Sequence, residues 1–320
     1  MSEHLRAKAV LLCGLTVSLP VAAQQPAGFA DAVLGRWDLT ITDGESSWPS
    51  WLEVRLRTEG ELMGRFVGRF GSVRHLPEIA YENGELRFAA PIQYESGDLP
   101  LRFAGSIDDD VLRGTLHDSH GAQAQWAGVR APVLPHSMRT GTGEAIELFN
   151  GKDLNGWEAR DERYPGCWQV IDGELTNVPP CVDLISSRRF EDFRLYTEFT
   201  IPANSNSGIY LRGRHEVQIQ DTAGQALDSL RMGAIYGFIT PIVDAAGPPD
   251  AWQRLDVRLI GREVTVILNG VTVIDAERIP GITGGALDSN EGARGPIMLQ
   301  GDHGAIRFRR IELTPLIDNQ

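Results

Sequence analysis

Lysine is almost missing from this 320-residue chain: Lys8 and Lys152 are the only two, and arginine carries nearly all the positive charge. Acidic residues outnumber basic ones, 43 to 30, for a formal net charge of -13. Such a chain lacks the basic footprint that nucleic acid requires, and anionic membrane surfaces repel it. Helix-period runs are scarce, and none is long enough for an α/β fold. No apolar run reaches the length of a transmembrane segment. Neither His-x-His nor His-Glu-x-x-His occurs, so a metal site would have to be assembled from distant positions. Cysteine is limited to Cys13, Cys167 and Cys181.

What is present begins with an address. Arg6 and Lys8 precede a short apolar run, and Val21-Ala-Ala23 offers a small-residue cleavage site before Gln24. Residues 1–23 therefore read as a signal peptide, and the expected location is the periplasm or the exterior. Removing that segment leaves Cys167 and Cys181, an even pair that invites a disulfide in an oxidising compartment. The pair flanks a hairpin turning at Asp172-Gly173, whose two ends lie close together. Two unpaired, partly buried thiols are the alternative.

Strand signals dominate the rest. From residue 30 to 130, short alternating runs recur between glycine and aspartate turns, as in an antiparallel barrel or sandwich. Gly35-Arg-Trp37 faintly resembles the opening of lipocalin-like barrels. Residues 131–143 hold Pro132, Pro135 and a Thr-Gly-Thr-Gly run, a linker composition. From 144 to 316 the strands resume, with Asn269-Gly270 as a strong hairpin signal. Eight or more strands in that stretch fit a two-sheet jelly roll, so the whole chain reads as all-β. Residues 241–250 and 280–295 are loops long enough to form functional rims.

The most informative segment is Asn206-Ser-Gly-Ile-Tyr-Leu-Arg-Gly-Arg-His-Glu-Val-Gln-Ile-Gln-Asp221. It reads as two strands joined at Gly213-Arg214. Ile209, Leu211, Val217 and Ile219 share one face. Tyr210, Arg212, Glu216, Gln218 and Gln220 share the other. An aromatic, a cation, a carboxylate and two amides are suited to holding sugar hydroxyls.

Other motifs stand in order around it: Glu147-Leu-Phe-Asn-Gly-Lys-Asp-Leu-Asn-Gly-Trp157, Gly233-Ala-Ile-Tyr-Gly237, Trp252, Gly295-Pro-Ile-Met-Leu-Gln-Gly-Asp-His-Gly304 and Phe308-Arg-Arg-Ile311. Together they resemble the 3-keto-disaccharide hydrolase domain family over residues 144–315. The resemblance implies a concanavalin-like β-sandwich, usually secreted, that acts on glycosides oxidised at C3 of the sugar.

A C3 ketone acidifies the C2 proton, so one base, a group that polarises the ketone and one acid are enough. Glu216 is the first candidate for the base, with an ion pair to Arg212 as its structural alternative. His303 is the second catalytic candidate; a turn-stabilising role is its alternative. Tyr210, Arg212, Gln218, Tyr236, Asn206 and Asp302 are the candidate substrate contacts. No cofactor is required, but a divalent metal would polarise the ketone well, and Glu216, Asp302 and His303 are its candidate ligands. The expected partner is an oligosaccharide or other glycoside. Two competing readings are a non-catalytic carbohydrate-binding module and a retaining laminarinase-type glycosidase. The latter needs two carboxylates on one strand, and Gln218 and Gln220 cannot fill that role.

Overall fold

The computed structural model describes residues 30–57, 60–118, 120–134, 139 and 141–318; the expected signal peptide at 1–23 lies outside them. Among the described residues there is one short 3-10 turn, Ala30–Ala32, and no α-helix. None of them forms a helix long and apolar enough to cross a membrane.

The first half is an antiparallel meander of nine strands. Their spatial order is Arg74–Leu76, Leu62–Val67, Ser46–Leu56, Gly35–Asp43, Gln123–Arg130, Val111–His117, Leu101–Asp108, Glu85–Ala90 and Glu78–Glu82. The two ends of this sheet return against each other, which makes a nearly closed barrel. Period-two alternation explains the closure: Ala124 and Trp126 point inward while Gln123, Gln125 and Ala127 stay in water. The interior is aromatic, and the Phe88 and Phe103 rings stack at 4.4 Å. At one end Trp37 is fully buried, and the Arg130 guanidinium lies 4.0 Å from its ring centre. The strands Arg74–Leu76 and Glu78–Glu82 are too short to show a pattern in the sequence.

The second half is a two-sheet sandwich. One sheet runs Trp168–Ile171, Glu174–Asn177, Arg307–Ile317, Phe193–Thr200, Gln253–Ile260, Glu263–Leu268, Val271–Arg278. The other runs Trp157–Ala159, Leu184–Phe190, Gly295–Leu299, Asn206–Leu211, His215–Gln220. Leu195, Val257 and Phe308 of the first sheet share one core with Ile209, Val217 and Ile297 of the second. The tight hairpins turn at Asp172-Gly173 and Asn269-Gly270, where all four residues take left-handed φ values. Cys167 and Cys181 are bonded, with S–S 2.07 Å.

Barrel and sandwich meet along a close seam. Trp51 of the barrel packs edge-on against Phe238, with ring centres 5.4 Å apart, in a small cluster with Val67, Ile282 and Ala286. The Gly285 N–H donates to the Arg69 carbonyl at 2.8 Å. Glycine makes this approach feasible: a Cβ on Gly281 would run into the Trp51 indole, and one on Gly284 into the backbone of Gly71. Nearby, Arg262 and Glu291 form a fully buried ion pair, and the Arg262 Nη1 donates to the Pro280 carbonyl at 2.8 Å. Asp38 of the barrel joins this cluster. Burial first, and then the Glu291 charge, push its carboxyl up to about 8 against the pull of Arg262, Arg36 and Arg214.

Candidate active site

A cavity of about 420 Å³ opens over one face of the sheet that contains Asn206–Leu211 and His215–Gln220. The pairing register opposes Asn206 to Gln220, Gly208 to Gln218 and Tyr210 to Glu216, which puts all six on that face. Asn206, Tyr210, Glu216 and Gln218 line the cavity together with Tyr236, Asp302 and His303.

Glu216 is the floor of the cavity and is buried. The Tyr210 hydroxyl lies 2.9 Å from Glu216 Oε2 and 2.8 Å from the Gly284 carbonyl. The Gln218 amide satisfies its neighbours with its nitrogen toward Glu216 Oε1 and Ser207 O, 3.2 Å from each. Burial pushes the Glu216 carboxyl up to about 8, outweighing the Tyr210 hydrogen bond and the charge of His303. Tyr210, pushed well above its usual range by burial and then by Glu216, stays a phenol. Two hydrogen-bond patterns follow. When Glu216 is ionised, the Tyr210 hydroxyl donates to it. When Glu216 is protonated, its O–H donates to Tyr210, which donates onward to Gly284. Gly208 provides the room: a Cβ there would collide with Glu216 Oε1.

The opposite wall is the turn 300–304. His303 Nδ1 and Asp302 Oδ1 are 2.6 Å apart. This hydrogen bond raises the His303 imidazole above its ordinary value. Burial alone would raise Asp302, but His303 beside it holds that carboxyl below the usual range. Asn177 fixes the turn, donating to the Gly301 and Gly304 carbonyls at 3.1 and 2.8 Å and accepting from Ile306 N at 2.6 Å. Gln300 Oε1 is buried without a hydrogen-bond partner, although its residue lines the cavity.

Four features were missed or misplaced in the sequence reading. Arg212 does not line the cavity. The strand ends at Leu211, and Arg212–Arg214 form the turn, with left-handed φ at Arg212 and Gly213. The alternation breaks there, and the buried Arg212 side chain donates to the Gly261 carbonyl instead of approaching Glu216. The turn thus begins one residue before the expected Gly213-Arg214. Arg160 and Asp183 were missed: they line the cavity as an ion pair, Nη1 to Oδ2 2.8 Å, with Asp183 Oδ1 accepting from Gly301 N at 3.1 Å. Burial, and then the Asp302 charge, raise the Asp183 carboxyl despite Arg160. Also missed were Phe70, Gly71 and Tyr94 of the barrel, which complete the rim.

His215 points to the opposite sheet face, fully buried, with Nδ1 3.2 Å from the Gly281 carbonyl. Among the described residues no three His, Cys, Asp or Glu side chains converge to hold a metal ion. Glu216, Asp302 and His303 therefore do not fit a shared ion, and no step below runs through one.

The chain thus joins a two-sheet sandwich to a polar cavity of about 420 Å³. Residues 144–314 match the model of the 3-keto-alpha-glucoside-1,2-lyase-like domain, and the chain belongs to that family. A candidate glycosyl hydrolase from Parabacteroides distasonis is 31% identical, over 54% of this chain and 84% of its own, with a TM-score of 0.48. Another from the same organism is 26% identical, over 54% of this chain and all of its own, with a TM-score of 0.44. A Bacillus licheniformis beta-glucanase is 12% identical, over 57% of this chain and all of its own, at a TM-score of 0.35. No curated protein matches the chain.

Proposed function

We propose that the protein is an exported enzyme that cleaves 3-keto-glycosides by elimination and hydration. The observation that carries this reading is the pairing, in one cavity, of a buried carboxyl raised to about 8 with a half-exposed Asp302–His303 couple. A base whose pKa lies near the working pH has both an ionised population and the driving force to take a carbon-bound proton.

In the proposed reaction, the Glu216 carboxylate takes the C2 proton of the 3-keto sugar. The C–H electron pair moves into the C2–C3 bond, and the ketone oxygen becomes an enediolate oxygen. Arg160, which lines the cavity, stabilises that charge. The electrons then return to expel the group on C1, whose oxygen takes a proton from His303. Asp302 holds the imidazole charged until then. Water adds at C1, C2 regains its proton, and the net products are a free 3-keto sugar and the released alcohol.

Beside Glu216 the cavity holds two more carboxyls that bear on the laminarinase-type alternative, Asp183 and Asp302, the latter bonded to His303. Both Asp183 oxygens are taken, one by Arg160 and one by Gly301 N, and Gln218 occupies the neighbouring strand position. Direct glycoside cleavage is the weaker reading. Aglycone release from a 3-keto-glucoside, with none from the parent glucoside, is the expected result for purified protein. Equal rates on both would refute the proposal. Export is tested by the mass of the mature chain, which should begin near Gln24.

A further inference from the structure

A second cavity, of about 270 Å³, enters the mouth of the barrel. It is lined deep inside by Ile41, Phe66, Leu101, Leu116 and Ala124, residues that belong to the barrel's own core or pack within it. The two cavities share Phe70 and Tyr94. These aromatics are 48% and 71% exposed, although each stands in a segment otherwise fixed to its surroundings. The Tyr236 hydroxyl of the sandwich bonds to Tyr94, and the Arg69 carbonyl next to Phe70 holds Gly285 N.

The polar groups at this mouth are mostly committed to the protein itself. Asp118 Oδ1 accepts from His120 N and Ala122 N, at 2.9 Å each. Glu95 is paired with Arg74 at 2.9 Å and accepts from Gln93 N at 2.8 Å. The Arg69 guanidinium lies over the Trp48 and Phe70 rings, 5.4 and 5.2 Å from their centres. Ser96 also has a partner, and Asp43 and Gln123 are exposed. A second sugar would need several hydroxyl partners here, whereas an apolar ring needs none.

We propose that the barrel mouth is the subsite for the group leaving C1, and that this group is an aromatic or similarly apolar aglycone. The sugar lies over Glu216, the glycosidic oxygen passes between Phe70 and Tyr94, and the aglycone enters the barrel. This rests on the 3-keto-glycoside reading for its chemistry, but not for the existence of the apolar site.

The test compares 2-naphthyl and methyl 3-keto-glucosides on the wild type, on Ala124→Phe, which fills the barrel mouth, and on Phe70→Ser, which removes the shared wall. Because each variant is compared with wild type on the same substrate, differences in leaving-group ability cancel. The ratio of kcat/KM for naphthyl over methyl should fall about tenfold in both variants, the loss expected for about 1.4 kcal/mol of aryl binding. An unchanged ratio in both overturns the proposal. Binding of free 2-naphthol, followed by tryptophan fluorescence, separates this idea from the catalytic one. Saturable binding weakened by Ala124→Phe supports the subsite even if no 3-keto-glucoside is turned over. Absent binding to the wild type refutes it even if both are. Should Ala124→Phe fail to fold, Phe70→Ser and the wild-type binding measurement still decide.

Discussion

Barrel and sandwich are made of the same material, antiparallel strands with alternating side chains, but they place their polar residues differently. The barrel interior is a cluster of phenylalanine and tryptophan, and its buried polar groups, such as Arg74 and Glu53, serve ion pairs at the edges. The sandwich also has an apolar core, but the outer face of its shorter sheet carries Glu216, Gln218 and Asn206 beneath a cavity. A sheet face that would ordinarily be wetted is here covered by loops and by the other half of the chain. That cover raises the Glu216 carboxyl and turns a sheet into a reaction vessel.

The comparison can be broken first at the carboxyl. Glu216→Gln should lower kcat on a 3-keto-glucoside by about 10²–10⁴-fold, the usual contribution of a positioned base. In the wild type, kcat/KM should fall at high pH as His303 loses the proton it donates, and should have a rising limb as the Glu216 carboxyl, raised to about 8, ionises. Any residual activity of the variant should lack that limb. Stability moves the opposite way. The folded carboxyl keeps its proton to about 8, whereas the unfolded one loses it near 4.5, so the wild type loses stability as pH rises through that window. Urea unfolding at both ends of the window should show a smaller loss in the variant, the remainder coming from other raised carboxyls such as Asp38.

The seam comes next. Trp51→Ala removes a buried indole from the contact with Phe238 and should cost about 3–5 kcal/mol in thermal or urea unfolding. If the halves depend on each other, turnover should fall as well, although Trp51 lines neither cavity. Replacing Cys167 and Cys181 by serine probes the sandwich alone. Opening that loop should cost about 3 kcal/mol and leave barrel-specific probes in place. Tyr94→Phe is the mildest change. It keeps the ring and loses the bond to Tyr236, which should raise KM severalfold, about 1 kcal/mol or less, with little effect on kcat.

What could be read from the residues follows from where the information is local. Alternation placed Tyr210, Glu216, Gln218 and Gln220 on one face because the two strands are joined by a short turn. The same logic failed for Arg212, since alternation assumes extended backbone and Arg212 has a left-handed φ. The strands of both halves were legible wherever they ran long, and Arg74–Leu76 was not. Asp183 and Arg160 carried no signal because they stand just outside two other strands, Leu184–Phe190 and Trp157–Ala159, and meet only through a fold-dependent ion pair. The barrel's contribution was least accessible of all: nothing near Phe70 or Tyr94 suggests a sugar site until the two halves are docked.

The glycines along the seam have one more consequence. Gly281 lies flat against Trp51, Gly284 against Gly71, and Gly237 against Ser72, each where a side chain would act as a wedge. A boundary so closely fitted is not a hinge, and it is poor ground for recombination. A sandwich from a relative, grafted onto this barrel, would misfit if it carried even an alanine at position 284. In this chain the sandwich therefore cannot be exchanged for another unless the glycines of the seam are kept.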